Sequence, residues 1–241
     1  MKVKTRSIKA GLVGALFAAS AFAACGGNAG GATSQAGTGF TTMIDNPWMP
    51  LAPGDRWVYR DINVGGPSQR DLVTVTPDTK QLANGVTARV VHDVALEKGK
   101  PVEDTLDYYA QDSRGNVWYL GEDTKELKSG KVVSTEGSFE AGVDGAKGGI
   151  VMQAHPRVGM SYRQEQYAGH AEDRAKVLAV DSQAEVPSGH YSPALLTSET
   201  SPLEPKVLEL KFYGRGVGQV LALTASGGNE REELVSFHSG G

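Results

Sequence analysis

Three carboxylates crowd one short stretch, Glu103, Asp104 and Asp107, and two tyrosines, Tyr108 and Tyr109, follow them directly. In an extended strand, a period of two puts Glu103 and Asp107 on one face with Thr105 and Tyr109, and Asp104 on the other with Leu106 and Tyr108. Paired carboxylates of this kind can act as acid and base in glycoside hydrolysis, or hold a cation or an amine. A solvated strand face carries the same residues for solubility alone, and that is the expected reading here. Asp104 differs, because its apolar neighbours would make its burial costly.

Five histidines, His92, His155, His170, His190 and His238, are the other acid–base groups that work near neutral pH. None forms a His-x-His or His-x-x-x-His pair, and the chain has a single cysteine, so zinc spacing is absent and no metal is expected. His92 falls in register with Val90 and Val94 on the apolar face of its strand, which reads as a buried, hydrogen-bonded imidazole or a ligand contact. There is no Gly-x-Ser-x-Gly elbow and no Gly-x-x-x-x-Gly-Lys-Ser/Thr loop. No catalytic residue is assigned and no cofactor is expected. A hydrolase built on Glu103, Asp104 and Asp107 is the enzymatic alternative.

Aromatic residues concentrate in the first half of the chain. Trp57, Tyr59, Tyr108, Tyr109, Trp118 and Tyr119 fall in neighbouring strands. They pack across strands to hold a sheet, or they wall a concave apolar pocket. On the second reading, these six with His92 and Asp104 are the candidate ligand-binding residues.

The elements that must position them read as strands. Val86, Ala88, Val90, His92, Val94 and Leu96 alternate with Thr87, Arg89 and Asp93, and Leu208, Leu210 and Phe212 alternate with Glu209 and Lys211. Asn84-Gly85, Ser129-Gly130 and Gly227-Gly228 sit between such runs, where hairpin turns need positive φ. The pattern predicts an all-β fold, a single antiparallel and strongly curved sheet of ten to twelve strands, half-barrel or barrel-like. Short helical turns are expected around residues 43–51. The glycine-rich stretch Gly137 to Gly149 is too long for a hairpin loop and is expected to be a lid or rim.

The first 24 residues pair a basic front (Lys2, Lys4, Arg6, Lys9) with an apolar run ending Phe22-Ala23-Ala24-Cys25. That run is too short to cross ~30 Å of hydrocarbon comfortably. It reads as a lipoprotein export signal over 1–24, with Cys25 as the lipidated residue. Ala21-Phe22-Ala23 also fits ordinary cleavage, which would release a soluble secreted protein. Residues 26–39 are almost entirely small or polar and read as a tether of roughly 20 Å root-mean-square reach. The β-rich domain then spans 40–241. With the cysteine lipidated, no disulfide is available to the domain. The chain carries a formal charge of −4, and residues 1–24 hold four basic and no acidic groups, so the remainder carries −8. Such a body gains nothing electrostatically from nucleic acid.

The opening Asn46-Pro47-Trp48-Met49-Pro50-Leu51-Ala52-Pro53-Gly54 is distinctive, as are Glu103 to Asp112, Gly115-Asn116-Val117-Trp118-Tyr119, Glu136 to Gly142 and Tyr213-Gly214-Arg215-Gly216-Val217-Gly218. Together they resemble a family of secreted bacterial proteins and lipoproteins without an assigned function, over about residues 43–237. The resemblance implies no activity. At the level of fold alone, the hairpin series is similar to the half-barrels of the lipoprotein carriers LolA and LolB.

The expected protein is therefore a membrane-tethered, extracytoplasmic lipoprotein that binds an apolar or amphipathic molecule, or an envelope component, without catalysis. An interaction lipoprotein with a packed core is the alternative. The membrane, through the lipid anchor on the bacterial cell membrane or outer membrane, and a lipid or apolar small molecule are the expected partners. Cys25→Ala should move the protein from the membrane fraction to the soluble exported fraction; unchanged sedimentation with membranes would refute the anchor.

Overall fold

The computed structural model describes residues 39–63 and 69–241; the leader, Cys25 and nearly all of the tether lie outside them. Among the described residues there is no helix, and the sixteen strands form one antiparallel sheet. The all-β, strongly curved expectation holds. The strand number exceeds it because Phe40–Thr41 (β1), Phe139–Glu140 (β8) and Lys147–Met152 (β9) add to the count and residues 161–166 form two short strands rather than one; β1, β8 and Lys131–Ser134 (β7) lie beside the main strands. Residues 43–51 form turns rather than helix.

The first wall runs through Arg56–Asn63 (β2), Gln69–Gln81 (β3), Thr87–Glu97 (β4), Lys100–Asp112 (β5), Val117–Lys128 (β6) and Lys147–Met152 (β9). The second runs through Arg174–Val186 (β12), Gly189–Thr200 (β13), Leu208–Gly214 (β14), Gly218–Ser226 (β15) and Glu230–His238 (β16), and β16 pairs with β2. The two free ends meet on one short segment. Ser161–Arg163 (β10) pairs with β12, and Glu165–Gln166 (β11), one residue further on, pairs with β9. The sheet is thereby nearly closed into a barrel, which leaves it no long open edges.

Closure gives each strand an inner and an outer face. The inner face is apolar near one end: Trp57, Val73, Val75, Val91, Tyr109, Tyr119, Leu195, Tyr213 and Leu234 are almost fully buried together. Residues 43–55 cap that end. Ile44, Met49 and Leu51 drop into the core, Leu51 N–H donates to the Ile44 carbonyl (3.0 Å), and Asp55 accepts from the Gly240 N–H (2.9 Å). The Asn46 side chain ties the cap to two loops, donating to the carbonyls of Gly115 (2.9 Å) and Gln153 (3.1 Å) while accepting from the Trp48 N–H (2.9 Å). The distinctive opening motif is thus the cap of the barrel.

A second, smaller core lies outside the barrel wall, where Leu82, Ala88, Val90, Tyr108, Ala110 and Leu120 are covered with help from Phe40 and Ala141. The stretch 137–149, expected as a lid or rim, is packed on the sheet and contributes to both cores. Phe139 packs edge-on against Tyr119 of the inner core (5.6 Å between centroids), while Ala141 joins the outer core and its N–H donates to the Leu120 carbonyl (2.8 Å). Gly142, Gly148 and Gly149 allow the close approach of backbones there.

Gly149 shows how tightly closure is fitted. A Cβ at this position would collide with the Arg163 carbonyl oxygen and lie 2.5 Å from the Gln164 carbonyl carbon and oxygen, all backbone atoms that cannot swing aside. Gly149→Ala should therefore destabilise the domain by about 3 kcal/mol. That corresponds to a fall in Tm of roughly 6–12 °C for a domain of this size, read by circular dichroism.

Candidate functional site

Two residues beyond its apolar tier, the inner face of nearly every wall strand turns acidic. Asp61 follows Tyr59, Asp71 precedes Val73, Asp93 follows Val91, and Asp107 precedes Tyr109. Across the barrel Glu199 continues the face of Thr197 and Leu195, Glu209 that of Lys211 and Tyr213, and Glu232 that of Leu234. Antiparallel register brings these positions to one level: Asp61 faces Glu232, Asp107 faces Glu122, and Glu199 faces Glu209. The result is an acidic tier inside the barrel, beyond the aromatic one.

Tyrosine hydroxyls stitch the two tiers together. Tyr119 donates to Asp107 Oδ1 (2.7 Å) and Tyr213 to Glu199 Oε1 (3.2 Å). Thr105 donates to Thr124 (3.2 Å), which donates to Glu122 Oε2 (2.9 Å). The one buried cation among these groups is Lys211, 3% exposed, with Nζ 2.8 Å from Glu199 Oε2 and 3.8 Å from Glu209 Oε2. Burial alone would lower its pKa, but the attraction of Glu199 and Glu209 prevails and holds it above the ordinary lysine range.

One lysine does not neutralise this many carboxylates. Asp61, Asp71 and Glu232 each place an oxygen within 4.8 Å of the others. At that spacing two like charges repel by about 3 kcal/mol at an effective dielectric of ~20, more than a typical net hydrogen bond returns. Protons respond first. Burial, with the charge of Asp61 added, pushes Asp71 up to about 12, while Asp61 is pushed up to about 6, chiefly by burial. Asp173 is raised to about 7, again mainly by burial, with Glu199 and Glu209 adding to it. Glu165 and Glu232 are also driven upward by burial and by neighbouring carboxylates.

Glu165, like Asp71, is 1% exposed with neither carboxylate oxygen hydrogen-bonded, and it sits within electrostatic reach of Asp173, Glu122 and Glu199 as well as of Lys211. Next to it the Gln164 side chain, also 1% exposed, leaves both polar atoms without a partner. A cavity of about 20 Å³, bordered by Asp173, Glu199, Glu204 and Glu209, opens off the same tier.

The candidate residues expected from sequence divide between the two faces. Trp57, Tyr59, Tyr109 and Tyr119 line the lumen as packed core, with Trp57 Nε1–H donating to the Val217 carbonyl (2.8 Å) and Tyr59 to that of Gln219 (3.0 Å). Tyr108 and Trp118 belong to the outer core. His92 and Asp104 pair on the outer surface at 3.2 Å, with side chains 38% and 41% exposed. His92 is therefore not a buried imidazole, because the apolar alternation of its strand follows the outer face. Asp107, expected on a solvated face, is buried in the lumen, and Asp104 points away from it, so the three carboxylates do not converge.

The lumen acids escaped sequence reading one strand at a time. The signal was present collectively: an aromatic or aliphatic residue, one spacer and an acid, ordered toward the same barrel end in strand after strand.

No family model, curated protein or solved structure matches the chain.

The raised carboxyl pKa values carry a sign. Between the unfolded pKa near 4 and the folded values of about 6 for Asp61 and about 7 for Asp173, the folded state binds more protons, so stability falls as pH rises across that window. In metal-free buffer, Tm should decline from pH 4 to pH 7, and Asp173→Asn should flatten the decline. A Tm that rises over this range would contradict the acidic lumen.

Proposed function

We propose that this is an extracytoplasmic, lipid-anchored protein that binds a hard divalent cation inside its barrel, without catalysis. The observation that carries the reading is Glu165, a buried carboxylate without a donor, aimed into a tier of acids that one lysine cannot balance. A cation bound among such oxygens replaces the protons that otherwise neutralise them.

Size selects the ligand. The apolar tier is filled by the protein's own rings, with Trp57, Tyr109, Tyr119 and Tyr213 all fully buried. A space of about 20 Å³ beside four carboxylates takes an occupant the size of one water or one ion, not a lipid. The triad Asp61, Asp71 and Glu232 fits the same class. Its oxygens lie within 4.8 Å of each other, inside the roughly 5 Å that opposite oxygens span around Ca²⁺ at 2.3–2.6 Å. Mg²⁺, at about 2.1 Å, demands a tighter shell, which favours the larger ion. All-oxygen donors also favour these ions over zinc.

The leader sequence supports the address, since its basic front, short apolar run and Cys25 have the layout of a lipoprotein signal. A second reading, an interaction lipoprotein, is favoured by the filled apolar tier and by Val132 and Val133, 52% and 59% exposed on the short strand β7.

Calcium at about a hundred times its Kd should add about 2.7 kcal/mol to unfolding stability at pH 7.5, after prior treatment with chelator. The double variant Asp61→Asn, Glu232→Gln should remove most of that gain while keeping the β-sheet circular dichroism of the parent. Absence of stabilisation by Ca²⁺ and by Mg²⁺ in the unaltered protein would overturn the cation reading and leave the interaction reading standing.

A further inference from the structure

At the capped end, opposite the acidic tier, a groove of about 460 Å³ opens between three loops. Its walls carry Arg114, Arg215, His155 and Trp48, with Asp45 as the one carboxylate. The volume falls in the range of small-molecule sites. On a body of net charge −8, two guanidiniums and an imidazole in one concavity are the reverse of the average surface.

The arginines are placed to receive a ligand. Arg215 places its guanidinium over the Trp48 ring, 5.7 Å from the centroid, a cation–π contact that helps hold it in the groove. Arg114 contacts Asp112 only at 3.4 Å. That carboxylate is already held by Asn116 Nδ2 (2.8 Å), Trp118 Nε1 (3.1 Å) and the backbone N–H groups of residues 114 and 116. Asp45, in turn, is engaged by Gln111 Nε2 at 2.6 Å, which moderates its repulsion of an anion.

The groove is also preorganised. Asn46 clamps residues 115 and 153 on its two sides, Ala154 N–H donates to Asn116 Oδ1 (2.9 Å), and Gly216 N–H donates to the Pro47 carbonyl (2.7 Å). Loops fixed in this way lose little further freedom when a ligand arrives.

We infer that this groove is a binding site for a phosphate oxyanion carried on a small organic body, held by Arg114 and Arg215 with His155 as a further donor. Planar guanidiniums match phosphate oxygens in pairs, and Trp48 and Pro156 offer an apolar wall to the remainder of the ligand. Two sources share this chemistry, a soluble phosphate ester and a phospholipid headgroup. Position bears on the second: β1, the first described strand, pairs with Gln111 and Asp112 beside Arg114, so the chain enters the domain next to the groove. The inference stands independently of the lumen.

Two probes test it on the full chain: glycerol 3-phosphate by calorimetric titration, and flotation of Cys25→Ala protein with phosphatidylglycerol vesicles against phosphatidylcholine vesicles. Saturable binding, weakened roughly tenfold or more by Arg215→Gln or Arg114→Gln and less by Arg215→Lys, is expected for a charge-assisted site. Binding of the solute without preference for anionic vesicles assigns a soluble ester, and preference for phosphatidylglycerol that both Gln variants abolish assigns a headgroup. Failure to bind either probe, or binding indifferent to both Gln variants, overturns the inference.

Discussion

A carboxylate removed from water must be protonated, paired or bound to a cation, and this barrel removes one from almost every wall strand while supplying a single lysine. The rest of the architecture accommodates that constraint. Below the acids lies a tier of tyrosines, whose rings fill space while their hydroxyls reach up to Asp107 and Glu199. Below the tyrosines a cap closes the end, so that water cannot solvate the acids from that side. Hydrophobic burial of rings such as Trp57 and Tyr109, of the order of 4 kcal/mol each at ~25 cal/mol per Å², provides the stability against which the charged tier is tolerated.

The two ends of the barrel are consequently opposite in chemistry. One end is acidic within and sparing of cations; the other is capped by an apolar loop and carries Arg114 and Arg215 on its outside. The polarity follows from chain direction. In β2, β3, β4, β5 and β16 the same two-residue step from apolar to acidic runs toward one rim, and antiparallel register reverses it in alternate strands so that all five agree.

Much of the fold was legible in the sequence because alternation and turn glycines are local. Val86 to Leu96 and Leu208 to Phe212 are strands as read. Which face is inward is not local, and there the reading failed instructively. In β4 the apolar set with Val90 faces outward, because β1 and the 137–149 segment cover it, while Val91 and Asp93 face the lumen. A strand between two covered faces presents two apolar patterns, and alternation alone cannot rank them. Alternation places the acid Asp107 on a solvated face for the same reason, whereas the closed wall buries it. Its neighbours Asp93 and Glu122 come from other strands, and only closure makes them a site. The cap motif was legible as distinctive, but its purpose depends on carbonyls at Gly115 and Gln153 that lie far along the chain.

The short segment that closes the barrel is also its seam. It is held by three ladder positions to β12 and two to β9, where the neighbouring β12–β13 hairpin has nine. Local opening is favoured where ladder hydrogen bonds are few, which makes this seam, with the short β6–β9 and β15–β16 ladders, a weak stretch of the wall. Glu165 lies on that seam. Its protonation and the integrity of the wall are therefore linked: parting the wall there returns the Glu165 carboxyl to water, where it ionises more readily than in the closed lumen.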